Sequence, residues 1–226
     1  MTSPSSVLRL AGCQWTATGD PADNLATVER MTARAAEGGA RLVVHPEAAM
    51  ASFAGRLDTV AQPLDGAFAD GVRAVAERHG VTVVVGMFCP ADTVEREDKT
   101  INRVSNTALV AGPGVLGGYE KIHTYDAFDY RESDTVLAGE SLVAFDVDDL
   151  IVGVATCYDI RFPEQFKELA SQGAQLIVVP TSWADGPGKL EQWRLLTAAR
   201  ALDSTSYILA AGQSRPGGDA EAGNPS

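Results

Sequence analysis

Short apolar runs rich in β-branched residues recur along the chain: VLRLAGCQW, RLVVHPE, VTVVVGMFC, NTALVA, GVLGGYEKIH, SLVAFDV, LIVGVATC, QLIVVPTSW and SYILAAGQ. Gly, Pro, Asp or Asn bounds them, and that punctuation with their length predicts strands. Between some of them the apolar period lengthens to that of a helix. Asp23 to Glu37 places Leu25, Val28, Met31 and Ala35 on one face. Phe68 to His79 groups Phe68, Val72, Val75 and Ala76 and stops at Gly80, a C-terminal signal. Phe162 to Gln172 and Leu190 to Leu202 read likewise, the last with Leu190, Trp193, Thr197 and Leu202 toward one side.

From Arg103 to Thr156 strand signals follow one another with no long helix between them, which predicts antiparallel hairpins. The outer parts alternate strand and helix. Together they predict an α/β layered protein with mixed sheets, some faces fully buried. A single domain over residues 1–213 is expected, followed by a polar, glycine-rich tail over 214–226 that is expected to be disordered.

Gly112-Pro113-Gly114-Val115-Leu116-Gly117 matches a G-x-G-x-x-G pattern. A dinucleotide fingerprint needs a helix to open at those glycines. Strand-like GGYEKIH follows instead, and Pro-Gly between two strand runs specifies a turn. A β-hairpin is the expectation here.

Composition narrows the partners. The net charge is −12, with acidic residues spread along the chain, so phosphate backbones and anionic membranes are repelled. No apolar run reaches bilayer length, and the N-terminus lacks the pattern of a signal peptide. Cys13, Cys89 and Cys157 form no Cys-x-x-Cys pair, so neither a disulfide framework nor a metal site is expected. A reducing, cytoplasmic setting fits.

Three polar residues close apolar strands, where α/β proteins place ligands and catalysis: Glu47 after RLVVHP, Lys121 after GGYE and Cys157 after LIVGVAT. Singly, each has a plain alternative: a solvated loop acid, an exposed edge lysine, a small buried thiol. Jointly they suit one task. A thiol at neutral pH needs a base to attack, which Glu47 could supply before passing the proton to a leaving amine. Lys121 and the backbone N–H of Tyr158 could hold the resulting oxyanion.

VVHPE, YEKIHTYDAF and GVATCYDIRFPE, in that order, resemble the Glu-Lys-Cys signature of the carbon–nitrogen hydrolase (nitrilase) superfamily. The likeness extends through RESDTVLAG, QLIVVPTSW and EQWRLLTAARALDSTSYILAAGQ. It implies a four-layer αββα sandwich, cofactor-free hydrolysis of an amide or nitrile, and a homodimer or larger homo-oligomer. It gives Glu132 a role beside Lys121, against the alternative of an exposed turn residue. Tyr-Asp after the cysteine resembles the amidase branches acting on small carboxylic-acid monoamides, the omega-amidase and deaminated glutathione amidase types. An N-carbamoyl substrate, or an inactive chain, are the rival readings. Arg161 is then a candidate for a substrate carboxylate or for a structural salt bridge to a helix carboxylate. Trp183 and Tyr125 are candidates for pocket lining or for core packing. Two departures stand out: TSWADGPGKLEQW replaces the Thr-Gly-x-x-His-Trp pattern of the nearest branch, and the chain ends before the family's further C-terminal strands.

Overall fold

The computed structural model of the protein describes residues 7–96, 99–127 and 130–214. One sheet runs β1 (Leu10–Gly12), β2 (Leu42–Val44), β3 (Thr82–Arg96), β4 (Lys99–Gly112), β5 (Val115–Glu120). Its first three strands are parallel, and β3–β4–β5 are antiparallel. A two-stranded hairpin, β6 (Asp126–Ala127) with β7 (Tyr130–Arg131), follows. The short β8 (Val136–Leu137) then pairs with β4 in parallel, a pairing the expected run of hairpins did not include. The second sheet has the order β12 (Tyr207–Gly212), β11 (Leu176–Thr181), β10 (Leu150–Val154), β9 (Val143–Val147). The Gly-Pro-Gly stretch is the β4–β5 hairpin, with Gly112 opposite Val115 and Gly114 at φ +76°; glycine alone takes that conformation without penalty.

Strand alternation builds the layers, because successive side chains point to opposite faces. Val43, Val83 and Val85 pack with Val28, Phe68 and Val72 of α1 (Pro21–Glu37) and α2 (Ala67–His79). Their neighbours Leu42, Val44 and Val84 face the other way, onto Val152, Val154, Leu176 and Val178 of the second sheet. Ile177 and Val179 turn outward again, to Phe166 and Leu169 of α3 (Pro163–Ser171) and to Trp193 and Leu196 of α4 (Lys189–Ser204). The result is helix, sheet, sheet, helix: the αββα sandwich.

One local expectation needs correction. α4 buries only the middle of the face that its hydrophobic pattern marks: Trp193 packs on the second sheet, but Leu190 and Leu202 at the two ends are exposed, whereas Arg200 and Ser204 are buried. Ser204 Oγ donates back to the Arg200 carbonyl at 2.6 Å, and Arg200 Nη2 pairs with Asp203 at 3.2 Å, while Arg200 Nε and Nη1 are buried without a hydrogen-bond partner. Cys157–Arg161 is a separate 3-10 turn, and α3 opens at Pro163. Of the tail, Ser214 is held by a bond from its N–H to the Trp15 carbonyl, 3.1 Å; residues 215–226 lie outside the described residues.

Candidate active site

Glu47 follows β2 and is buried. Its main chain reaches this position because β3 carries Gly86 alongside. A Cβ at Gly86 would lie 2.5 Å from the Ala48 nitrogen and 2.7 Å from the Glu47 Cα. Its carbonyl accepts from Gln213 Nε2 at 2.9 Å. Both carboxylate oxygens are bonded: Oε1 accepts from Asn106 Nδ2 (2.8 Å) and Lys121 Nζ (3.1 Å), and Oε2 from the Ser182 N–H (2.8 Å), which leaves Oε2 a further acceptor site.

Lys121 leaves β5 with its own N–H bonded to the Asn106 carbonyl, 2.8 Å. Its ammonium lies 3.1 and 2.8 Å from the two oxygens of Glu132. Glu132 opens a 3-10 turn and is buried rather than exposed, its Oε2 also accepting from the Tyr125 N–H at 2.6 Å. Burial by itself pulls the pKa of Lys121 down. The nearby Glu47, Cys157 and Glu132 outweigh it, and the net direction is up. A cation flanked by two acids keeps its charge.

Cys157 stands where β10 gives way to the 3-10 turn, in a left-handed conformation, φ +46°. A residue with a Cβ is strained there, and such strain is held only by surrounding structure. Burial pushes the thiol pKa well up and Glu47 adds to this; Lys121 and a hydrogen bond with Thr181 offset only part. The resting sulfur is therefore a neutral thiol beside a carboxylate. The N–H of Tyr158 belongs to the first turn, whose amides have no partner within the helix.

One cavity of about 260 Å³ brings these groups together: Glu47, Lys121, Glu132 and Cys157 line it, with Tyr125, Tyr158, Arg161 and Trp183. The cleft thus unites residues of both sheets. Tyr125 stands edge-on to Tyr158, 5.0 Å between ring centres. Trp183 serves both alternatives, lining the cavity while packing on Trp193 at 4.9 Å. Arg161 lies 5.6 Å from the Tyr158 ring and 5.3 Å from that of Trp183. Its Nη2 donates to Gln192 of α4 at 2.9 Å, an amide where a helix carboxylate was the alternative.

Sequence reasoning passed over Asn106, Ser182, Phe53 and Lys189, which border or hold the same cavity. Asn106 opens the run NTALVA between Ser105 and Thr107, a polar start that gives no hint of its burial. Ser182 acts through its backbone, which no side-chain pattern signals.

The comparisons agree with this architecture. Residues 8–219 match the family described as carbon-nitrogen hydrolase. A Mycobacterium tuberculosis protein named only as a hydrolase is 50% identical over 220 residues, 96% of this chain and 75% of its own. The deaminated glutathione amidase of Escherichia coli O157:H7 is 39% identical over 189 residues, 81% of this chain and 69% of its own. Among solved structures, a mutant of the Nesterenkonia AN1 amidase, of the nitrilase superfamily, superposes with a TM-score of 0.77. It is 24% identical and covers 92% of this chain and 77% of that one. The chain belongs to the carbon–nitrogen hydrolase family and is an enzyme of its amidase and nitrilase kind.

Proposed function

We propose that the protein hydrolyses the amide of a small carboxylic-acid monoamide through a thioester on Cys157, releasing ammonia. One observation carries this reading: Cys157, Glu47 and Lys121 line a single cavity. As the sulfur attacks the amide carbon, Glu47 takes the thiol proton, which a thiol raised in pKa does not release by itself. The carbonyl oxygen becomes an oxyanion facing Lys121 Nζ and the Tyr158 N–H. Glu47 returns the proton to the nitrogen, the C–N bond breaks and ammonia leaves. Glu47 then deprotonates a water that attacks the thioester, and the proton goes back to sulfur as the acid product departs. Glu132 keeps the ammonium in place and charged throughout.

Cavity size and charge support the substrate class. A space of about 260 Å³ suits a molecule of a few carbons, below the usual range for drug-sized ligands. Arg161 and Lys189 line it, and a guanidinium keeps several donors beyond the one Gln192 engages. A homodimer or larger assembly in a reducing, cytoplasmic compartment belongs to the same proposal. Leu195, Leu202 and Tyr207 are 70–80% exposed, and sedimentation reads the oligomer directly.

Incubation with succinamate, glutaramate and N-carbamoyl amino acids, with ammonia assayed and Cys157 weighed by mass spectrometry, tests the substrate class. Ammonia and an acyl adduct from the monoamides are expected. Turnover of N-carbamoyl compounds alone would reassign the substrate, and no ammonia with no adduct from any of them would sink the hydrolase reading.

A further inference from the structure

Asp159 lies two residues beyond Cys157, is fully buried, and does not line the cavity. A buried carboxylate persists only when its oxygens are bonded, and the identity of its partners is informative. Oδ2 accepts from the Thr156 N–H and from the Tyr119 hydroxyl, each at 2.7 Å. Oδ1 accepts from the His123 N–H at 3.0 Å and meets His123 Nδ1 at 2.8 Å. Thr156 is the residue before the nucleophile. Tyr119 and His123 flank Lys121, two residues to either side. Tyr119 oxygen in turn accepts from the Ile122 N–H (3.2 Å) and Gln165 Nε2 (2.8 Å), which uses the hydroxyl completely. His123 is held flat against Phe162, ring centres 3.6 Å apart.

One carboxylate therefore ties the turn bearing the sulfur to both sides of the lysine. These two segments belong to different sheets. Apolar contacts between sheets resist separation but tolerate small slips, whereas hydrogen bonds to an anion are short and directional. We propose that Asp159 is a positioning residue that aligns the Cys157 sulfur with the Lys121 ammonium, so that the oxyanion forms where its donor waits. The inference rests on the thioester reading above. A misplacement of about 1 Å in such a constellation costs ~10²-fold in rate.

The test separates alignment from simple support of the fold. Tyr119→Phe cuts the bond from Asp159 to the lysine strand and leaves Thr156 and His123 bonded. Asp159→Asn disturbs both sides. Succinamate turnover would be measured beside alkylation of Cys157 by iodoacetamide, a reaction that forms no oxyanion. For Tyr119→Phe, kcat should fall ~10–100-fold with KM within about twofold and the alkylation rate within about twofold. Asp159→Asn should lower kcat further. If Asp159→Asn fails to fold, Tyr119→Phe alone decides. Unchanged kcat per folded molecule, with only a lower melting temperature, would overturn the proposal. So would equal losses in kcat and alkylation by Tyr119→Phe, since alignment with Lys121 would then not be what was lost. A parent protein that alkylates at Cys157 yet releases no ammonia from any monoamide overturns the underlying reading, and this one with it.

Discussion

Glu47 and Glu132 share both of their buried side-chain donors. Oε1 of each accepts from Lys121 Nζ at 3.1 Å and from Asn106 Nδ2, at 2.8 Å to Glu47 and 3.2 Å to Glu132. Two acids that would repel are thus held by one ammonium and one amide.

Removing the ammonium should expose that repulsion. Lys121→Met is expected to cost about 3–5 kcal/mol of stability, the range for breaking a buried ion pair by deleting one partner. The rate should drop at least ~10²–10³-fold, as for loss of an oxyanion donor. Adding Glu132→Gln should restore part of the stability and none of the rate. Urea unfolding reads the first effect and ammonia release the second; a Lys121→Met protein as stable as its parent contradicts the cluster.

The left-handed turn at Cys157 gives a second expectation. Cys157→Ala should lose all turnover and fold normally, since one small side chain replaces another. Cys157→Gly should be more stable than Cys157→Ala by about 1 kcal/mol, because glycine meets no steric penalty at positive φ. Equal denaturation midpoints for the two would mean that the turn relaxes once the sulfur is gone.

Gly86→Ala touches no reacting group, yet it should impair catalysis. The added methyl would press on backbone at Ala48 and Glu47, which cannot swing aside as a flexible side chain does. A stability loss of about 1–3 kcal/mol is expected, together with a fall in kcat at similar substrate affinity. Full activity in this variant would show that the Glu47 loop shifts without consequence.

His45, two residues before Glu47, sets a pH limit. It is fully buried, accepts from Trp15 Nε1 on Nδ1 at 3.2 Å and meets the Thr32 hydroxyl through Nε2 at 3.0 Å. Trp15 only donates, so the ring proton sits on Nε2 and the imidazole is neutral. Burial lowers its pKa to about 3. The unfolded chain protonates this histidine near 6.5 and the folded one near 3. Between those values the unfolded state binds the extra proton, so stability is full above about pH 6.5 and declines as pH falls. The slope from this group is about 1.4 kcal/mol per pH unit. Urea titrations at pH 6, 5 and 4 should show it, and His45→Gln should flatten it by about that amount; an unchanged slope removes His45 as its source.

Much of the architecture was readable because apolar alternation and strand-end polar residues are local signals. Glu47 and Cys157 stand as abrupt chemistry after valine-containing apolar runs, and Lys121 closes the strand-like GVLGGYE. Other parts were hidden for physical reasons. β3 and β4 continue past their apolar stretches as an exposed ribbon to Arg96 and from Lys99. Polar cross-strand pairs such as Thr100 with Glu95 and Arg103 with Asp92 support it, so hydrophobicity does not mark it. The burial of Glu132 was carried by the family likeness alone, since its turn, RESD, reads as solvent-facing. On α4, buried Arg200 and exposed Leu202 reverse the usual pattern, and no periodicity argument recovers that. Asp159 entered the sequence reading only as part of the Tyr-Asp pair after the cysteine; its four bonds reveal how much it holds.

The acids and the ammonium hang from one slab of the sandwich and the sulfur from the other, with Val84, Val154 and Val178 in the seam between. Reaction rate in such a molecule is a gauge of how two greasy plates mesh. A methyl group gained or lost deep in that seam, far from any reacting atom, would detune the enzyme well before it melted. Heat should silence the protein at temperatures where its strands and helices are still intact.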